Sequence, residues 1–66
     1  SNITIKVYNV LGQEVKTIFN GFKSFGRHSA IWNGLNNKGN QMPSGIYFIE
    51  LDNYKLKVVK PVTLLK

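Results

Sequence analysis

Ile3, Ile5 and Val7 alternate with Thr4, Lys6 and Tyr8, a period of two that sorts side chains onto the two faces of a β-strand. Similar alternation runs along most of the chain, broken every several residues by turn-forming Gly, Asn and Pro. Asn9 to Gln13, with Gly12, turns the chain after the first strand. Val15 to Phe19 is β-branched and aromatic and reads as a second strand. Asn20-Gly21 follows, the dipeptide that best tolerates the positive φ angles of a tight hairpin. Phe22 to Phe25 is short, and Gly26 suggests a bend or bulge. His28, Ala30 and Trp32 then share one face of a strand. Asn33 to Gly45 is polar and rich in Asn, Gly and Pro, which predicts a long loop.

Ile46 to Leu51 carries the strongest strand pattern, with Tyr47, Ile49 and Leu51 directed to a core and Glu50 to water. Asp52-Asn53 reads as the next tight turn. Tyr54 to Val59 returns with lysines at alternate positions, a solvent face that protects an edge strand. Pro61 has no backbone donor and is expected at an edge, a bulge or a strand start. Val62 to Lys66 reads as a last short strand. No stretch has helical periodicity. Six or seven short strands separated by turns predict an all-β sandwich or a small barrel.

Sixty-six residues make one domain at most, with one thin core and little surface for an enclosed cleft. There is no cysteine, which excludes disulfides and cysteine-based metal sites. Stability must come from apolar packing; 42% of the chain is hydrophobic and eight residues are aromatic, a composition unlike that of a disordered segment. Nine Lys/Arg against three Asp/Glu give a net charge of +6. Charge of this density can attract nucleic acid, anionic lipid or an acidic glycan. The basic residues are spread along the chain, so a solubilising role is the simpler reading. No apolar run reaches the ~20 residues needed to cross a bilayer, and no basic-then-apolar signal sequence opens the chain. Ser1-Asn2 reads as a vector scar or linker, leaving residues 3–66 as the domain.

Candidates for chemistry are few. His28 is the only histidine, and Glu14, Glu50 and Asp52 are the only carboxylates. Ser24, Ser29 and Ser44 could act as nucleophiles only beside a base and an orienting group, and His28 falls on the apolar side of its strand. It reads as a packed imidazole. Glu50 and Asp52 share a strand face at its exposed end, which fits a solvated surface better than a glycosidase pair. No catalytic residue is assigned, and an enzyme is not expected. Asn36-Asn37-Lys38-Gly39-Asn40 has the outline of a calcium loop but no carboxylate, and Lys38 sits in its middle. It reads as an Asn/Gly turn, with no metal or cofactor. Phe22-Lys23-Ser24-Phe25-Gly26-Arg27 interleaves aromatic and basic residues as single-strand-binding barrels do. A structural strand is the simpler account, and nucleic acid ranks behind it as a partner.

Four segments together resemble a known family. Val7 to Val15 (VYNVLGQEV) resembles the "IYNxxGQxV" opening of C-terminal sorting domains of type IX secretion cargo. Gly26 to Gly34 (GRHSAIWNG) is similar to that family's "GxHxxxWDG" segment, and Gly39 to Leu51 (GNQMPSGIYFIEL) to its "GxxxxSGxYFxxL" strand. Lys60 with Leu64-Leu65-Lys66 matches its basic and apolar ending. The resemblance extends, less closely, to the immunoglobulin-like domain of flagellar hook-capping proteins, which shares the Trp-Asp-Gly and Ser-Gly-x-Tyr features. This chain departs from the sorting family in three places. Asn33 and Asn36 stand where acids are common, Pro61 interrupts the basic stretch, and the "PNP" stretch ahead of the first strand is missing.

The resemblance implies an immunoglobulin-like antiparallel β-sandwich, with its first strand absent if the missing stretch belongs to it. An unpaired edge would then invite a homodimer. Trp32, Gly45, Tyr47 and Leu51 are assigned to the core. The implied function is a non-catalytic C-terminal module that directs a larger protein across the outer membrane, by way of the periplasm, to the medium or the bacterial surface. Its implied partners are the outer-membrane secretion machinery and a sortase-like peptidase, with no small-molecule substrate. Lys57, Lys60, Leu64, Leu65 and Lys66, on the C-terminal strand pair, are assigned to translocon recognition. Two alternatives stand beside this reading: an assembly module of the hook-capping type that makes its contacts through loops, and a small basic barrel that binds single-stranded nucleic acid through Phe22, Lys23, Phe25 and Arg27.

Overall fold

A computed structural model describes residues 2–22, 32–53 and 55–65. Four strands form among them: β1 (Asn2–Tyr8), β2 (Glu14–Phe22), β3 (Gly45–Asn53) and β4 (Lys57–Leu64). They build one antiparallel sheet in the order β2-β1-β3-β4, so β1 and β3 are central and β2 and β4 are the edges.

The alternation in β1 sets the core. Ile3, Ile5 and Val7 are 5%, 3% and 0% exposed. On β3 the residues opposite Ile5 and Val7 are Leu51 and Ile49, and Tyr47 continues that row. Val7, Val15 and Tyr47 form the buried centre, and Ile18, Trp32, Met42, Ile49, Val62 and Leu64 pack against it half-buried. Leu51, expected in the core, is only half-buried and is not part of the cluster around Val7 and Tyr47; it sits on β3 next to the edge strand β4, opposite Val58. Val15 and Ile18 reach the core through two register shifts on β2, where the pairing steps from Phe19 to Thr17 and from Lys16 to Glu14. Each shift gives β2 an extra residue, which re-aims a side chain and twists the edge.

Among the described residues the architecture is a single sheet of four strands, with the segment 32–44 packed on its apolar face; six or seven strands in two layers are not seen there. Two expected breaks are absent. Asn20 and Gly21 stay in β2, opposite Thr4 and Ile3, because continued pairing with β1 outweighs the turn preference of the dipeptide. The two segments on either side of Pro61 are one strand, since an edge strand can carry a proline with its nitrogen turned away from the ladder. The last turn also begins one residue later than expected. Asp52 still pairs with Lys57, and Asn53 closes the hairpin, its side-chain oxygen accepting from the N–H groups of Lys55 and Leu56 at 2.8 and 2.7 Å. The strand expected over His28 to Trp32 falls outside the described residues except for Trp32, which lies in no strand.

Candidate interaction surface

The segment 32–44 is held on the sheet by its polar groups as well as by packing. The Tyr47 hydroxyl donates to the Pro43 carbonyl at 2.7 Å, and the Trp32 indole N–H donates to the Leu35 carbonyl at 2.9 Å. The two rings meet edge-on, with centroids 4.9 Å apart and planes at 62°, a geometry the aromatic quadrupole favours. A tyrosine that bonds back to backbone a few residues upstream is a feature of immunoglobulin-like sandwiches. Gly34 lies under Leu64; a Cβ there would sit 3.2 Å from Leu64 Cδ1. Gly45 opens β3 with a φ of 155°.

Two turns in the molecule are the same device. In Asn9–Gln13 the Asn9 N–H donates to Gln13 O, Gly12 N–H donates to Asn9 O, and Asn9 Oδ1 accepts from the N–H groups of Leu11 and Gln13. In Asn36–Asn40 the set repeats: Asn36 N–H to Asn40 O, Gly39 N–H to Asn36 O, and Asn36 Oδ1 accepting from Lys38 and Asn40. Gly12 and Gly39 take φ angles of 82° and 85°, which glycine reaches without a Cβ penalty. With Asn36 Oδ1 committed to two backbone donors, the loop that resembled a calcium site is an Asn-closed turn. The second turn docks on the edge of β2: Asn37 N–H donates to Val15 O at 3.2 Å, and Thr17 N–H donates to Asn37 Oδ1 at 3.1 Å.

Residues 1–58 match the family model of the FlgD Ig-like domain. The chain belongs to that family. No curated protein and no solved structure matches it. Of the two families that the sequence resembles, the match falls on the hook-capping one and not on the type IX sorting domain.

Of the five residues assigned to translocon recognition, the four that the structure of this FlgD Ig-like domain describes do not share one face. Lys57 opens β4 on the polar face, 4.0 Å from Glu50. Lys60 lies opposite Ile49 on the other face, at the open edge. Leu64 is half-buried against the core, a packing residue rather than a contact. Leu65 is 81% exposed at the far end of the strand from Lys57, and Lys66 lies outside the described residues, as do Lys23, Phe25, Arg27 and His28.

The polar face of the sheet is laced by charge. Lys6 Nζ lies 3.2 Å from Glu14 Oε1, and the Thr17 hydroxyl donates to Glu14 Oε2 at 2.9 Å. The Thr17 bond first, then Lys6, holds the Glu14 carboxyl below its ordinary value, and Glu14 in turn raises Lys6. Among the described residues no group of three His, Cys, Asp or Glu side chains could hold a metal.

Sequence reasoning passed over Val10 and Leu11, which the first Asn turn exposes by 67% and 78%. The signal was present in the repeated Asn-x-x-Gly spacing, which marks the two residues between Asn and Gly as a turn tip.

Proposed function

We propose that this FlgD Ig-like domain is a non-catalytic assembly module of the hook-capping type, working by protein contact outside the cytoplasm. The family match over residues 1–58 carries the reading. Its side-chain chemistry is consistent with it: Trp32 and Tyr47 spend their polar groups on the fold, and Glu14 and Glu50 face lysines on an open sheet face. A sorting role is less well supported, because the family match falls on the hook-capping domain.

Deletion tests the proposal. In the protein that carries this domain, removing residues 2–65 should leave export intact while the product fails to enter its sedimentable assembly and collects as free protein. Loss of export, with assembly of the residual exported protein unaffected, would overturn the assembly reading in favour of sorting.

A further inference from the structure

Four of the large apolar side chains that the fold leaves exposed lie at one end of the sheet. Val10 and Leu11 cap the β1–β2 turn, Ile46 lies at the start of β3 and Leu65 follows the end of β4, with exposures of 67%, 78%, 53% and 81%. The register brings them together, since Tyr8 faces Phe48 and Gly45 faces Leu64. The fold does not require an apolar tip here. The twin turn has the same hydrogen bonds with Asn37 and Lys38 in the positions of Val10 and Leu11.

Lysines unpaired among the described residues stand behind this end, on a row four residues, roughly 13 Å, back from Gly45 and Leu64. Across the row of Val7, β2 contributes Lys16 and β4 contributes Lys60, opposite Ile49. Lys38 stands on the twin turn beside β2. None of these three lysines has an ion-pair partner among the described residues, whereas Glu14 and Glu50 are engaged by Lys6 and Lys57, and Asp52 lies toward the opposite end.

We propose that this end docks on an anionic phospholipid surface, with Val10, Leu11, Ile46 and Leu65 entering the interface and Lys16, Lys38 and Lys60 contacting the headgroups. Apolar insertion and attraction to anionic headgroups add in such binding. The turn is already ordered by its Asn bonds, so insertion loses little conformational entropy. Two observations favour a lipid over a protein. The molecule measures 34 × 19 × 19 Å, and an end 19 Å wide offers much less than the ~800 Å² per partner of a standard protein interface. A second copy would bring together two chains that each carry a net charge of +6.

The test is co-sedimentation of the 66-residue chain with phosphatidylglycerol/phosphatidylcholine vesicles and with phosphatidylcholine alone. The native chain should bind the anionic vesicles, and more weakly as salt rises. The V10N/L11N variant should bind about tenfold or more weakly, with an unchanged thermal melt showing that it is folded. The V10N/L11K variant, which copies the twin turn and adds a charge, should also bind more weakly than native. Three results would overturn the proposal: no binding to anionic vesicles; V10N/L11K binding as tightly as native, which reduces the effect to charge; or self-association without vesicle binding, abolished by V10N/L11N.

Discussion

Glu14 shows how one exposed side chain acquires a role from its neighbours. Its carboxylate accepts from Thr17 and faces Lys6, and both favour the charged form. A carboxyl whose pKa is lower in the folded chain than in the unfolded chain stabilises the fold above the unfolded value. That contribution disappears as pH falls through the folded value, below the ordinary 4.5. The Glu14→Gln variant should therefore be less stable than native near neutrality, and the gap should shrink as pH falls below the ordinary carboxylate range. Urea midpoints measured across that range check it, and a gap that stays constant with pH would show that Glu14 acts through packing alone. The surface position keeps the effect small. From the sequence Glu14 was one of three scattered acids. Its partners come from β1 and from three residues along its own bulged strand, which no linear spacing reveals.

Among the elements, the loop 32–44 has the most work. Through Trp32 and Met42 it packs on the core, and Asn36 and Asn37 both close it and fasten it to β2. Asn36→Ala removes an acceptor for two backbone N–H groups and should cost about 1 kcal/mol. Asn36→Asp keeps the oxygen and should cost much less, in line with the acids that stand here in the sorting family that the sequence resembles. Chemical denaturation of both variants decides the point; equal losses would mean that the oxygen is not what holds the turn. The strands on either side show where local sequence was a good guide. Alternation in β1 and in the β3 segment marked both as strands with a buried face, and lysines with Pro61 marked β4 as an edge. Asn20-Gly21 misled because a turn preference is local, whereas the partner that kept those residues extended is β1.

For the whole molecule, the open edge of β4 is the place where two copies could pair, yet its side chains oppose pairing. Antiparallel self-pairing about the middle of Lys57–Leu64 would set each Lys60 against Pro61 of the other copy, bringing two ammonium groups together where a backbone donor is missing. We expect a monomer, and we expect K60T/P61T to self-associate. Sedimentation velocity over a concentration series reads this directly; a native dimer, or a variant that stays monomeric, would show that those two residues do not guard the edge. The same accounting explains the limits of reading function from this chain. Lys57, Lys60 and Leu64 look like parts of one contact motif in the sequence, but strand alternation puts the two lysines on opposite faces and the core claims Leu64.

Period-two patterning by itself determined that the chain is β-structured, which strand faces are apolar and where most turns lie, because those depend on neighbours two to five residues apart. Tertiary structure alone decided that the described strands form one sheet under a packed loop, that Asn20-Gly21 does not turn, and that Val10, Leu11, Ile46 and Leu65 gather at one end. Those outcomes depend on pairing between residues tens of positions apart, whose free energy outweighs local preference and leaves no mark in the order of the residues.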